Sequence, residues 1–197
     1  MTFEQLINKC GKLAYAEPDS QVHSTIMPQA MDAFLPLLSP GATILDIGIG
    51  SGMSMDLLTK RGFSPFGISI LQPEVDAARF RGFDAECMDM HDIDKLAPRV
   101  FEGVWARHVL EHSPCPMLML HLILDRLKPG GWLYCEVPAP DTSAQHQSNP
   151  NHYSVMQLSG WYCLMVKAGF VPIRAQEIKF KISIGDDCYF AFAAQKP

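Results

Sequence analysis

The sequence predicts an α/β fold in three layers, with helices on both faces of a mostly parallel sheet. Three observations carry this. The run Thr43-Ile44-Leu45-Asp46-Ile47 is largely apolar and leads into Gly48, Gly50 and Gly52 at alternate positions. A buried strand turns tightly into a helix in this way, because glycine admits positive φ and lets a ligand lie on the backbone. Short apolar runs then alternate with helix-length segments from Gly41 to Val137, the pattern of parallel strands joined by right-handed crossovers. After Gly169, two strand-like runs follow one another with no helix between them, so they pair antiparallel.

Phe3, Leu6 and Ile7 have helical spacing, and so do Met27, Ala30, Met31, Phe34 and Leu35. This gives two helices joined near Glu17-Pro18-Asp19-Ser20, the second stopping between Pro36 and Gly41. Residues 43–47 form the first strand and 53–61 a helix ended by Gly62. Residues 65–70 form the second strand, and 73–81 a helix with proline at its start, where the missing N–H costs little. A third strand spans 84–88, then a polar loop and a short helix near 91–96. Residues 101–106 make the fourth strand and 117–127 an apolar helix that ends at Lys128-Pro129-Gly130-Gly131. A fifth strand covers 132–137, a helix 155–168, and the last two strands 170–180 and 188–194, joined by Ser183-Ile184-Gly185-Asp186-Asp187.

With 197 residues, the chain suits one α/β domain. Hydrophobic residues at 48% and charged ones at 19% describe a globular chain. The net charge of −5 argues against an electrostatic grip on nucleic acid or on an anionic membrane. Six cysteines are scattered without a CxxC pair, so neither a thiolate zinc site nor a dithiol redox motif is expected. The stretch MTFEQLINKC lacks the apolar core of a signal peptide, and no run is long enough to span a bilayer. A cytoplasmic protein with free thiols is the expectation.

Ligands of open α/β sheets bind at the carboxyl ends of the strands. That rule gathers Asp46 with its glycines, Ser69 to Gln72, Met88 to Met90, Ala106 to His108, and the segment from Pro138 onward into one cleft. At these residues the chain resembles the class I S-adenosylmethionine-dependent methyltransferases. ILDIGIGSG matches their nucleotide-binding turn, and FEGVWARHVLEHSPCP followed by LDRLKPGGWLYCEVP is similar to the small stand-alone members. The likeness runs from about Ala42 to Val137, whereas residues 1–40 and 138–160 carry no motif.

The resemblance implies a Rossmann-like sandwich with a seven-stranded sheet in the order 3-2-1-4-5-7-6, strand 7 antiparallel. It implies S-adenosylmethionine as cofactor and S-adenosylhomocysteine as product. By position, Gly48, Gly50 and the backbone at Ser51 would approach the amino acid end of the cofactor, and Asp46 would orient its amino group. Asp89 would accept from the adenine amino group, with Met90 packing on the ring. Arg107 and His108 would lie beside the sulfonium. The family usually places a carboxylate at the end of strand two to grip the ribose; here that position is Ser69. Relatives of the cyclopropane fatty acid synthases carry a hydroxyl there with a nearby glutamine, which would make Ser69 and Gln72 share the ribose.

Methyl transfer needs an acceptor aligned with the sulfonium and, for a hydroxyl acceptor, a base. His108, His112, His146, His152 and Tyr153 are candidates, and His152 and Tyr153 are expected to face the substrate from a long polar loop. His108-Val109-Leu110-Glu111-His112 also spells the inverted zinc-peptidase motif H-x-x-E-H. That motif requires a helix from its first histidine, and Pro114 and Pro116 follow too closely, so no metal is expected. The reading is a single domain over 1–197: a helical cap at 1–40, the cofactor core at 41–138, a lid or substrate loop at 139–153, and a C-terminal helix and strand pair at 154–197. It would methylate a small or medium-sized acceptor, with no nucleic acid or membrane expected as partner. A binding-only regulatory module, or another reaction on the same cofactor or a modified form of it, is the alternative. Oligomeric state leaves no mark in the sequence.

Overall fold

A computed structural model describes residues 1–12 and 21–197. The expected joint near Glu17-Pro18-Asp19-Ser20 lies outside the described residues. Helices α1 (Phe3–Gly11) and α2 (Gln21–Phe34) precede the sheet. The sheet strands are β1 (Thr43–Ile47), β2 (Ser64–Ser69), β3 (Asp84–Cys87), β4 (Phe101–Arg107), β5 (Leu127–Pro138), β6 (Ile173–Ile182) and β7 (Gly185–Gln195). Helices α3 (Met53–Lys60), α4 (Gln72–Phe80), α5 (Pro116–Arg126) and α6 (Leu158–Ala168) connect them. The strand order is β3-β2-β1-β4-β5-β7-β6. Pairings among β1 to β5 are parallel, and β7 runs antiparallel to both its neighbours. The predicted order and the antiparallel seventh strand are therefore those observed.

Side-chain alternation along the central strands builds two cores. From β5, Leu133, Cys135 and Val137 point to one face, where Met119, Leu120 and Ile123 of α5 and Trp161 and Met165 of α6 cover them. Trp132 and Tyr134 point to the other, under Met31 and Phe34 of α2 and Leu58 of α3. Period-two alternation is the signature of a strand covered on both sides. Trp105 of β4 stacks on Tyr134 with ring centroids 4.3 Å apart. Trp161 is fully buried in the first of these cores.

Gly67 in β2 shows how the sheet seats the nucleotide turn. A Cβ there would meet Ile49 Cγ2 at 2.5 Å and Met55 Sδ at 2.9 Å. The turn after β1 thus lies directly on β2, held by Gly48 and Ile49 N–H groups donating to Ile68 O at 2.9 and 3.2 Å. Gly67→Ala is expected to destabilise by about 1–3 kcal/mol through overpacking, read from urea unfolding.

Several elements differ in their bounds from the sequence reading. β5 begins at Leu127 rather than at Trp132, because Leu127 pairs with Phe101 and Gly130 N–H donates to Lys196 O. α6 begins at Leu158 rather than at 155. The preceding residues are tied elsewhere: Tyr153 and Ser154 N–H donate to Glu111 O, and Ser154 Oγ donates to Ser113 O at 2.6 Å. At the end of the sheet, Ile182 pairs with Gly185, so only Ser183 and Ile184 form the hairpin loop, shorter than the predicted one. Among the described residues, no helix is long and apolar enough to cross a membrane.

Candidate cofactor cleft and acceptor site

One cavity opens over the carboxyl ends of β1, β2, β3 and β4. Asp46, Gly48, Gly50 and Ser51 line it at the end of β1, and Met53 of α3 joins them. Gly48 has φ +78°, and a Cβ there would meet Val109 Cγ2 at 2.6 Å. Both facts require glycine at the point where the backbone faces the cavity. Asp46 is 1% exposed, and its carboxylate accepts from Ser54 Oγ at 2.5 Å. Burial raises its pKa to about 7 against the lowering effect of that bond.

Ser69 lines the cavity at the end of β2, but its partner is not the one predicted. Gln72 is exposed, donates to Asp76 Oδ1 at 2.7 Å, and does not line the cavity. Glu74, in the first turn of α4, does line it, and Glu74 Oε2 accepts from Ser69 Oγ at 2.6 Å. A carboxylate is therefore present beside β2, delivered from five residues further along the chain. The cue lay in the sequence: Pro73 opens a helix, and an acid in its first turn faces back toward the strand end.

After β3, Asp89 caps a 3₁₀ turn over Met90–Leu96, with Asp89 Oδ1 accepting from His91 N at 2.9 Å and from His91 Nδ1 at 2.7 Å. Burial acts to raise the Asp89 pKa, but the bonds and charge of His91 outweigh it and hold the carboxyl below its usual range. Met88 and Met90 line the same stretch of cavity.

The end of β4 carries a buried ionic group. Arg107 Nε donates to Glu136 Oε1 at 2.8 Å, His108 Nε2 reaches the same oxygen at 2.9 Å, and Tyr134 Oη donates to Glu136 Oε2 at 2.8 Å. His108 Nδ1 lies 3.6 Å from Glu111 Oε1. His108 has φ +54°, a left-handed conformation uncommon outside glycine. Burial acts to lower its pKa, but Glu111 and Glu136 outweigh this and raise it to about 9. His108 thus holds its proton between Glu136 and Glu111, with both ring nitrogens turned to carboxylates.

Arg107, His108, His112 and Asn151 line the cavity, as do Ile7 and Cys10 of α1. His152 does not line the cavity; it stands behind His112, ring centroids 5.0 Å apart. Tyr153 is 37% exposed and is also absent from the lining. The structure thus brings together Asp46, Gly48, Gly50, Ser51, Ser69, Asp89, Met90, Arg107 and His108, and sets Gln72, His152 and Tyr153 apart.

Residues 19–175 match a family model described as a methyltransferase domain. The chain belongs to that family. The family and the sheet order are those of class I S-adenosylmethionine-dependent methyltransferases, for which S-adenosylmethionine is the cofactor. A ubiquinone biosynthesis O-methyltransferase of Chromobacterium violaceum is 27% identical over 100 residues, covering 48% of this chain and 43% of that protein. The chain thus spans less than half the length of this curated relative. Among solved structures, a SAM-dependent methyltransferase from Archaeoglobus fulgidus has a TM-score of 0.74 at 16% identity, covering 99% of this chain and 100% of that one. The N-methyltransferase NodS from Bradyrhizobium japonicum WM9, in complex with S-adenosyl-L-homocysteine, has a TM-score of 0.73 at 15% identity, covering 98% of this chain and 97% of that one. At these identities the structures share the fold with this chain.

Proposed function

We propose that the protein transfers a methyl group from S-adenosylmethionine to an oxygen of a small or medium-sized acceptor. The observation that carries the reading is the continuity of the cavity from Asp46 through Ser69 and Glu74 to Asp89, with Arg107 and His112 at its far end. In this reading, Asp46 pairs with the cofactor ammonium, and Gly48, Gly50 and Ser51 lie along its amino acid part. Glu74 grips the ribose hydroxyls, with Ser69 fixing its carboxylate, and Asp89 Oδ2 takes the adenine amino group over Met90. The sulfonium then faces Arg107 and His108. Residues 139–153 form the acceptor wall, since Asn151 lines the cavity and the Tyr153 side chain meets that of Cys10, which lines it too. The name of the Chromobacterium relative, an O-methyltransferase, supports the oxygen acceptor.

Calorimetry with S-adenosylmethionine and S-adenosylhomocysteine tests the cofactor, and transfer of labelled methyl to a small-molecule extract tests the reaction. Binding of both ligands and label in an extractable product are expected. Absence of binding of either ligand overturns the reading. Glu74→Gln is expected to raise the dissociation constant for S-adenosylmethionine about 10- to 100-fold, the usual range for losing a charged hydrogen-bond acceptor. An unchanged constant would leave Ser69 without its proposed carboxylate partner on the ribose.

A further inference from the structure

Glu111, His112 and His152 come together although 39 or more residues separate the loop histidine from the other two. One donor atom from each lies within 4.8 Å of the others. The backbone enforces the meeting: Glu111 O accepts from Tyr153 N at 2.8 Å and from Ser154 N at 2.9 Å, so the loop is fastened to the Leu110–His112 turn beside His152. We propose that these three side chains bind a divalent first-row transition cation at the acceptor end of the cleft.

Three further features suit a cation. Glu111 is 1% exposed, and Glu111 Oε2 has no hydrogen-bond partner among the described residues, while Oε1 faces His108. A buried carboxylate oxygen left without a donor is costly unless a positive charge meets it. His112 Nδ1 is 2.9 Å from Asn151 O, and His152 Nδ1 is 3.0 Å from His146 O. A carbonyl only accepts, so both Nδ1 atoms carry the proton and both Nε2 atoms present a lone pair. Metal-ligating histidines are commonly oriented by such a bond from the second ring nitrogen. The set of two imidazoles and one carboxylate suits zinc, iron, cobalt or nickel rather than magnesium or calcium. Asn149 Nδ2, 3.2 Å from His152 Nε2, is the contact the ion would replace as the donors close around it. The motif His108-x-x-Glu111-His112 contributes only its last two members, because His108 is turned to Glu136. His152 takes the third place, which no local spacing could reveal.

His112 lines the cavity, so an ion held on it would border the acceptor end of the cleft. Resting on the methyl-transfer reading, the ion would bind an acceptor hydroxyl and lower its pKa. The hydroxyl proton passes to solvent. The oxygen forms a bond to the methyl carbon as the carbon–sulfur bond breaks, and its electron pair returns the sulfonium to a neutral thioether.

The tag-free full chain, stripped with chelator, is titrated with Co²⁺ by visible absorption and with Zn²⁺ by calorimetry. One saturable equivalent is expected. His152→Asn and Glu111→Gln should each weaken it by roughly 10- to 100-fold or more, with circular dichroism unchanged for the loop variant His152→Asn. Absence of saturable uptake by the wild type, or uptake undiminished in His152→Asn, overturns the site. S-adenosylmethionine binding is measured on the same samples. Cofactor binding without metal uptake defeats the metal site alone, and metal uptake without cofactor binding defeats the methyl-transfer reading alone.

Discussion

Glu136→Ala is expected to destabilise the protein by about 3–5 kcal/mol, the range for breaking a buried ion pair by removing one partner. Glu136 is 0% exposed and serves Arg107, His108 and Tyr134 at once. Its removal leaves a guanidinium and an imidazolium buried without their shared counter-charge. Urea unfolding at neutral pH reads the loss, and a value under about 1 kcal/mol would show that water or Glu111 takes over the role. The acid side gives a second signature. Burial acts to raise the Glu136 pKa, but His108 and Arg107 hold it down to about 2, from 4.5. A depressed carboxylate pKa adds stability that is complete above 4.5 and is lost as pH falls from there toward 2. Across that window, the wild type should lose on the order of 3 kcal/mol more than Glu136→Gln, which cannot titrate.

The same ionic group marks where sequence reading stops. The strand–helix succession was legible because apolar runs alternate with helical segments from Thr43 to Val137, the strand order came with the family resemblance, and Asp46, Ser69 and Asp89 could be placed because each lies at the carboxyl end of a strand. Ionisation was not legible. His108 reads as a base by residue type, yet its state depends on Glu136, 28 residues away and paired through the β4–β5 register. Gln72 was the wrong neighbour for Ser69 because position on the helix decides reach. At the start of α4, residue 72 points out to Asp76, and residue 74 turns back to the strand. The start of α6 was misplaced for a related reason. Residues 155–157 have helical character, but Ser154 is fastened to Ser113 and Glu111, which keeps the chain extended up to Gln157. Tertiary hydrogen bonds overrode local preference in each case.

Asp46→Asn should stabilise the unliganded protein at pH 8 while weakening S-adenosylmethionine by roughly 30-fold or more. The opposite signs have one cause. Burial raises the folded pKa of Asp46 from 3.8 to about 7, so the fold binds this proton more tightly than the unfolded chain does. The stability it adds is complete below 3.8 and is lost as pH rises through 7. At pH 8 the ionised carboxylate costs the empty protein on the order of a few kcal/mol, which the asparagine removes. The cofactor ammonium supplies the missing counter-charge, so losing the carboxylate removes one partner of a desolvated pair, worth about 2 kcal/mol or more. The affinity should follow the ionised fraction. With a pKa near 7, the wild-type dissociation constant rises about tenfold between pH 8 and pH 6, whereas that of Asp46→Asn stays flat across the range. Calorimetry at both pH values reads the affinity, and thermal unfolding of the empty protein at pH 8 reads the stability. A flat wild-type profile would place the ammonium away from Asp46. A lower melting temperature for Asp46→Asn would mean that the carboxylate is already compensated in the empty cleft.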